Sequence, residues 1–373
     1  MPRSTAAARD RPSMADVGRL ADVSAQTVSR YFTGTGYVSA TTRTRIEAAV
    51  AELGYRPNHV ARAFRVNRTF TIGVMTMGTM NYGITALYSA LSAAARATDY
   101  SIVIGHIDAD IDEPGALEEA RRVLDNLQSL QVDGILLATQ YRDADELFEG
   151  ISERLPVVTF SGRPRPTADT VALDSYRAGR EATEHLISLG HTRILHVGGP
   201  PSRNEAVERE RGFVDAVLAA GLPALPSVPG ASWGAETGHR AGKAADPAQF
   251  SAVFAADDSI ALGFMSAMRS RGFESPRDYS IIGVDDMPEA AFYSPPLTTM
   301  RMDFDELGTV AFDMLRRHIE KQERFELKVL PPTLIVRGST RAVRASPVRS
   351  ECSDAGQAVT ADAEAEGAHG DSR

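Results

Sequence analysis

The chain has 373 residues, of which 43% are hydrophobic, and a formal net charge of −9 at pH 7, which predicts two or three domains with a sizeable core. It has no run of about twenty apolar residues that could span a membrane and no apolar signal-peptide core, so we expect a globular cytoplasmic protein. Its one cysteine, Cys352, cannot form an intramolecular disulfide, which excludes a disulfide-stabilised secreted domain.

The first pattern in the chain predicts three short helices within residues 16–57. Two sets of residues stand at helical spacing on either side of a break at Asp22: Val17, Leu20 and Ala21, then Ala25, Val28 and Ser29. Ser24 is placed to cap the second helix through its hydroxyl. A third helix is predicted from about Thr41 to Leu53, with an apolar stripe and with Gly54 where a helix would end.

Basic charge is concentrated around these helices. Residues 1–68 hold eleven Arg, no Lys and five acidic residues, a net charge of +6, so the remainder carries −15. Phosphate neutralisation supplies most of the non-specific affinity for DNA, so this segregation is typical of a DNA-binding head. The pattern therefore favours a helix-turn-helix unit with its second helix in the major groove. A three-helix cap or dimerisation module that binds no nucleic acid is the alternative.

The body of the chain predicts parallel β-sheets with crossover helices. Short apolar runs recur as TIGVMTM, YSIVIGH, DGILLAT, PVVTF, RILHVGG, SAVFAAD and YSIIGVDD. Segments of helical length and amphipathic spacing lie at 114–130, 176–189, 206–218 and 259–271. Two groups of such units flank residues 160–174, and the chain returns through LTTMRMDF. We predict a doubly wound α/β body with two lobes and a cleft between them.

These strings resemble, in order and spacing, those of the lactose-repressor (LacI/GalR) family of bacterial transcription regulators. The matching strings are DV, VSAQTVSR, VSATTR, AELGYRPN, VAR, TIGV, HLISLGHTRI, ERERGF, AVFAADDSIALG, IIGVDD and PPLTTMRMDFDELG. The resemblance covers residue 16 to about residue 340. It implies a small all-α helix-turn-helix head, joined by a hinge helix to a two-lobed α/β effector domain similar to periplasmic sugar-binding proteins.

Residue by residue, the resemblance implies a DNA contact for seven residues of the head and the segment after it. Those at base-reading positions are Ala25, Gln26 and Arg30, and those facing phosphates are Thr27, Ser29, Thr42 and Asn58. The chemistry agrees, because Gln pairs bidentately with adenine and Arg with guanine. Specificity should depend mainly on Gln26 and Arg30.

Segment 58–68 resembles the family's hinge helix, which places an apolar wedge in the minor groove. Phe64 stands where the family usually has Leu. Phe can also unstack a base step and kink the duplex, although the preferred central step can differ. The alternative is that Phe64 packs against the effector domain.

In the body, the resemblance implies a sugar site built from Arg209, Trp233 and Asp285. An indole can stack on a sugar face while guanidinium and carboxylate bind hydroxyls. Two positions depart from the better-known sugar-binding members: Asp257 replaces the usual Asn, and Ser161 stands where the lactose repressor has a ligand-contacting Asp. Asp257 would accept only, if ionised, and could select another hydroxyl pattern or a cationic ligand.

Each of these residues also has a purely structural interpretation. Asp285 and Asp258 could cap helices, Arg209 could form a surface ion pair and Trp233 could belong to the core. Occurrence of the set in family order favours the binding site.

Two other classes of protein are weighed against a regulator. An enzyme is disfavoured because the sequence has no phosphate loop, no HExxH, no GxSxG and no Cys/His cluster at metal spacing, so we expect neither metal nor cofactor. A secreted sugar receptor would share the body but would lack the basic head.

The predicted organisation is therefore a disordered segment 1–12, a helix-turn-helix domain 13–57, a hinge 58–68, an effector-binding and dimerisation domain 69–340 and a disordered tail 341–373. The tail has no leucine heptad, so a homodimer on a pseudo-palindromic operator is expected. We predict a repressor of carbohydrate-utilisation genes that a sugar or glycoside releases from DNA. A corepressor-dependent regulator that responds to a non-sugar molecule stays open.

Overall fold

The computed structural model describes residues 12–34, 36–56, 68–138, 151, 154–160 and 168–343. The segments 1–12 and 341–373, predicted to be disordered, lie outside these residues except at their inner ends. The predicted hinge 58–68 lies outside them except for Arg68.

The head is a three-helix unit, as the sequence predicts. Its helices are α1 (Met14–Leu20), α2 (Ala25–Thr33) and α3 (Ala40–Leu53). A serine hydroxyl caps each one by accepting a backbone N–H: Ser13 from Asp16, Ser24 from Thr27 and Ser39 from Thr42. Seven buried residues form the core: Val17, Ala21, Val28, Val38, Ile46, Ala49 and Tyr55. The sequence analysis places Leu20 with the apolar residues of the first helix, but Leu20 is the last residue of α1 and is 45% exposed.

The body alternates strands and helices along the chain. The strands are β1 (Thr71–Met77), β2 (Ser101–Ile107), β3 (Gly134–Ala138), β4 (Val157–Phe160), β5 (Asp169–Leu173), β6 (Ile194–Val197), β7 (Ala252–Ala255), β8 (Ser280–Asp285), β9 (Thr298–Arg301), β10 (Leu327–Leu330) and β11 (Thr333–Ile335). The helices are α4 (Tyr82–Arg96), α5 (Ala116–Ser129), α6 (Ser175–Ser188), α7 (Asn204–Ala219), α8 (Ala235–Ala244), α9 (Asp258–Ser270) and α10 (Phe304–Lys321), and a short 3₁₀ helix spans Pro288–Phe292.

Two sheets define two lobes, which confirms the predicted fold class. In lobe 1 the strand order is β10-β5-β4-β3-β1-β2, and every pairing is parallel. In lobe 2 the order is β11-β9-β8-β7-β6, and β11 alone is antiparallel to its neighbour. All seven apolar runs of the sequence contain one of these strands.

The chain passes between the lobes three times. It leaves lobe 1 after β5, returns after β9 and leaves again between β10 and β11. The first two passages lie where the sequence indicates a boundary and a return. The third, at residues 331–332, was not predicted, and β5 lies inside the stretch predicted to separate the lobes.

Apolar layers cover both faces of each sheet. In lobe 1, α5 packs on one face, and α4 and α10 pack on the other. In lobe 2, α8 and α9 lie on one face, and α6 and α7 on the other. Because both faces are covered, the carboxyl ends of the strands are the part of each sheet open to a ligand.

Helices α8 and α9 cross at two glycines. A Cβ on Gly238 would lie 1.8 Å from the Ile260 carbonyl oxygen, and one on Gly263 would lie 1.8 Å from the Ala235 carbonyl oxygen. Both clashes are with backbone, so no side-chain rotation could relieve them. The close approach therefore holds α9, and the loop before it, in place.

We expect Gly263→Ala to lower the free energy of unfolding by at least about 1–3 kcal/mol, because the added methyl forces the two helices apart. Urea unfolding followed by circular dichroism measures this. The control Ser266→Ala, at an exposed position of the same helix, should change the free energy of unfolding by less than about 0.5 kcal/mol. Equal stability of the two variants would contradict the close crossing.

Candidate functional site

The three residues predicted to read bases lie on the outer face of α2. Ala25, Gln26 and Arg30 are all exposed there, next to the turn that joins α1 to α2. The N-terminal part of this helix is thus free to enter a groove, as the base-reading assignment requires.

The residues predicted to face phosphates lie beside the helix N-termini. Thr27 and Thr42 are half-buried, and each hydroxyl contacts the capping serine at 2.9 Å, Ser24 and Ser39 respectively. Ser29 is also half-buried, on α2. Helix N-termini attract phosphate through their free N–H groups, so the positions of Thr27 and Thr42 suit a backbone contact.

Three of the predicted site residues, Asn58, Phe64 and Ser161, lie outside the described residues. Their predicted roles stay predictions.

The body has a cleft of about 470 Å³ at the carboxyl ends of both sheets. Four of the predicted effector residues line it together: Arg209, Trp233, Asp257 and Asp285. They come from α7, from the loop before α8, and from the ends of β7 and β8. Lobe 1 contributes mainly apolar side chains on the opposite wall, among them Ile84, Leu87, Phe160 and Leu307. The cleft is therefore polar on the side of lobe 2 and apolar on the side of lobe 1.

A buried ion pair forms the centre of the polar side. An Arg209 guanidinium nitrogen lies 3.2 Å from Asp285 Oδ1, and both side chains are less than a tenth exposed. A second guanidinium nitrogen donates to the Ala256 carbonyl oxygen. Asp285 ends β8 with a φ of +104°, a left-handed backbone that is strained for a residue with a Cβ. The surface-pair and helix-cap interpretations of these two residues are wrong, because the pair is buried and Asp285 caps no helix.

Asp257 lies beside this pair and caps α9. Its Oδ1 accepts the Ser259 N–H at 2.6 Å, and the residue is 5% exposed. Burial is the main cause of a raised pKa for Asp257, and the charge of Asp285 acts in the same direction while Arg209 opposes it; together they raise the pKa to about 8. Burial thus favours the protonated form of this carboxyl, which can donate as well as accept.

Trp233, the one tryptophan of the chain, is half-buried at the cleft. The Arg209 guanidinium carbon lies 5.3 Å from the centre of its ring. Gly199 makes room for the indole, because a Cβ there would lie 2.4 Å from a ring atom. The indole thus packs against the apolar core of lobe 2 and also lines the cleft.

Asp258, the neighbour of Asp257, is wholly buried and structural. Its Oδ1 accepts the Thr299 hydroxyl at 2.6 Å, and its Oδ2 accepts the Met287 N–H at 2.8 Å. The carboxyl thereby ties the start of α9 to β9 and to the loop before the 3₁₀ helix.

Known proteins share both the head and the body. The family model described as bacterial regulatory proteins, lacI family, matches residues 13–58, and one described as a periplasmic binding protein-like domain matches residues 183–340. The ribose operon repressor of Escherichia coli (strain K12) is 32% identical over 343 residues, covering 88% of this chain and 99% of the repressor. The transcriptional repressor PurR of Erwinia tasmaniensis is 31% identical over 342 residues, covering 90% of this chain and 97% of PurR.

A crystal structure of the Lac repressor dimer bound to operator and the anti-inducer ONPF superposes with a TM-score of 0.78 and 28% identity, covering 89% of this chain and 100% of that one. The chain belongs to the LacI family. It is accordingly a DNA-binding transcription regulator with a periplasmic-binding-protein-like effector domain. Members of this family are regulators and not enzymes, which confirms the prediction that this chain is not one.

Several charged residues of the regulator's cleft were missed by the sequence analysis, among them an ion pair. Arg203 and Glu205 form an ion pair of 3.2 Å, and both line the cavity with side chains that are 8% and 13% exposed. Glu205 Oε2 has no hydrogen-bond partner among the described residues. The available signal was spacing: Glu205 precedes Arg209 by four residues and so shares its helix face.

No helix in the described part of the regulator is long and apolar enough to cross a membrane. Nor do the described residues bring together three or more His, Cys, Asp or Glu side chains that could hold a metal ion.

Proposed function

We propose that this regulator is a cytoplasmic homodimer that represses carbohydrate-utilisation genes and leaves a pseudo-palindromic operator when a sugar or glycoside binds in the cleft. The observation that carries the proposal is the buried Arg209–Asp285 pair beside Trp233, in a chain whose head is positively charged.

The chemistry of the polar wall supports a sugar. Arg209 Nε and Trp233 Nε1 are buried N–H donors without a hydrogen-bond partner among the described residues, and Glu205 Oε2 is a buried acceptor without one. Unpaired buried polar atoms cost free energy, so a ligand that pairs them gains specificity. A hydroxyl both donates and accepts, and the indole offers a face on which a sugar ring can stack. The ribose operon repressor among the relatives supports the same class.

Operator reading is assigned to Gln26 and Arg30, with Ala25 adding apolar contact to a thymine methyl. Thr27, Ser29, Thr42 and Asn58 would bind the backbone, and Phe64 would act as the wedge in the minor groove. Exposure of Gln26 and Arg30 on α2 supports this assignment.

Exposed apolar residues of lobe 2 support the homodimer. Phe292 of the 3₁₀ helix is 86% exposed and Leu262 of α9 is 40% exposed. The bond from the Met287 N–H to Asp258 joins the two elements that carry them. Aromatic residues are enriched at protein interfaces, and two-fold symmetry of the dimer would match a pseudo-palindromic operator.

The same two elements start at the ligand site. Asp257 caps α9, and Asp285 lies three residues before Pro288. A ligand that moves either carboxyl therefore acts on the elements that carry Leu262 and Phe292. This connection supports an allosteric change in how two subunits, and so two heads, are spaced.

A regulator that binds DNA better with its small molecule is the second candidate. Relatives of this chain include both the ribose operon repressor and PurR, so family membership leaves the sign of the response open. The sign is read directly from operator affinity with and without ligand.

The proposal is tested by binding of genomic fragments at fixed salt, with and without neutral mono- and disaccharides. We expect one pseudo-palindromic fragment to be retained, and one sugar to weaken its binding by about 5–150-fold, the usual range of allosteric coupling. Asp285→Ala should abolish release and keep operator affinity, and exposed Asp125→Ala should change neither. A sugar that binds without altering operator affinity would refute the coupling, and tighter operator binding would establish the second candidate.

Arg30→Ala should cost about 1–3 kcal/mol on the specific fragment and relax discrimination at one base pair, because it removes one bidentate contact. Arg19→Ala is the control, since it removes the same charge from α1, where the side chain is 78% exposed. Fluorescence anisotropy on specific and random duplexes measures both. An equal loss from Arg30→Ala on the two duplexes would disprove base reading.

Phe292→Glu should convert the dimer into monomers and weaken operator binding, because it puts a charge on the proposed contact surface. Light scattering coupled to size exclusion gives the mass of each species. Leu218→Glu, at a 60% exposed position of α7, should leave the dimer intact. A dimeric Phe292→Glu variant would rule out this surface as the interface.

A further inference from the structure

The polar floor of the cleft consists of Arg209, Asp257 and Asp285, so it has one guanidinium for two carboxyls. Arg209 donates to Asp285 and to the Ala256 carbonyl oxygen. Within the described residues, no ion pair of 4.0 Å or less joins Asp257 to a basic side chain. Asp257 is therefore a buried acid without a counter-ion of its own.

The two carboxyls also act on one another. The charge of Asp285 raises the pKa of Asp257, and Arg209, which acts in the opposite direction, is already paired with Asp285. An ionised Asp257 would be a buried negative charge without a cation of its own, which is costly, so Asp257 holds the proton. The other groups near Asp257 are Asp258, on its own helix, and Tyr293, after the 3₁₀ helix. Neither is a cation that would stabilise an ionised Asp257.

We propose that Asp257 is a neutral carboxylic acid that donates its hydrogen bond to an uncharged, hydroxyl-bearing effector. The inference rests on the proposed function, since it concerns the same cleft. It assigns Asp257 the donor ability of the Asn that the family usually carries there, and it makes this ability depend on pH.

Charge balance selects the ligand class. With Asp257 protonated, the floor holds one guanidinium and one carboxylate, and Arg203 is likewise paired with Glu205. Three residues that line the cleft then carry an N–H or O–H donor without a partner among the described residues: Asp257, Arg209 at Nε and Trp233 at Nε1. Hydroxyl oxygens satisfy them, whereas an ammonium group has no lone pair to accept. A carboxylate or phosphate would add an uncompensated negative charge beside Asp285 and Glu205.

The first measurement needs no ligand. An Asp that keeps its proton to about pH 8 when folded, but releases it near pH 4 when unfolded, makes the folded state lose stability as pH rises between these values. The urea concentration at half unfolding should therefore decrease from about pH 4 to about pH 8 in the wild type, relative to Asp257→Asn. Above about pH 8 the difference between the two proteins should stay constant. Asn also caps helices well, so this variant keeps the start of α9. Parallel curves throughout would overturn the protonation.

The second measurement is operator release by ribose, glucose and cellobiose, with glucosamine and glucuronate as charged counterparts, from pH 6 to about 9.5. The wild type should lose affinity for its neutral sugar about tenfold for each pH unit above about 8, as expected for one required proton. Asp257→Asn should bind with no such decline. Asp303→Asn is the control, because Asp303 caps α10 at an exposed position outside the lining of the cleft, and its pH profile should match the wild type.

Three outcomes would overturn the donor role: a flat wild-type profile, loss of sugar binding in Asp257→Asn at pH 7, or tighter binding of a charged sugar than of its neutral counterpart. Release by no sugar would reject the proposed function and the donor role with it, and the stability comparison would still decide where the proton is.

Discussion

The cleft depends on how three buried carboxyls are tolerated with a single guanidinium. Each aspartate is stabilised in a different way. Asp258 is satisfied by a backbone N–H and a hydroxyl, Asp285 by Arg209, and Asp257 by keeping its proton. Breaking the Arg209–Asp285 pair would leave a buried charge uncompensated, which costs several kcal/mol. The polar wall is therefore specified as a unit, and its donors and acceptors have fixed positions before a ligand arrives.

Most of the architecture could be predicted because apolar runs and amphipathic spacing are local properties. Two of the missed elements, β5 and β10, are defined by distant partners. Strand β5 begins with Asp169, a residue that disfavours strands, and its Oδ1 accepts bonds from Arg324 Nε at 2.8 Å and from the Phe325 N–H at 3.0 Å. No local sequence pattern predicts such partners, because they lie more than 150 residues away along the chain. The same holds for β10, a four-residue strand with two exposed residues, which is defined by its pairing with β5.

The order of the family's motifs predicted which residues meet in the cleft, but it did not predict their chemistry. Arg209, Trp233, Asp257 and Asp285 do meet in one cavity. Their protonation, the left-handed backbone of Asp285 and the neighbouring pair Arg203–Glu205 required coordinates, because burial and distance decide each of them. From the sequence alone, Asp in place of Asn predicts that the side chain has lost its hydrogen-bond donor. The fold restores the donor by excluding water and placing a second carboxylate beside it.

Helix α7 joins ligand recognition to the relation between the lobes. Its Arg209 and Glu205 face the cavity, while its N-cap residue Arg203 donates to the Met77 carbonyl oxygen of lobe 1 at 3.3 Å. The preceding Ser202 donates to Asp110, also of lobe 1, at 3.3 Å. A ligand shifts a conformational equilibrium only through contacts that differ between its states. Contacts at the start of α7 exist only when the lobes are close, so a ligand that orders this helix also favours closure. Recognition and lobe closure then share one rigid element, and the response needs no separate relay between them.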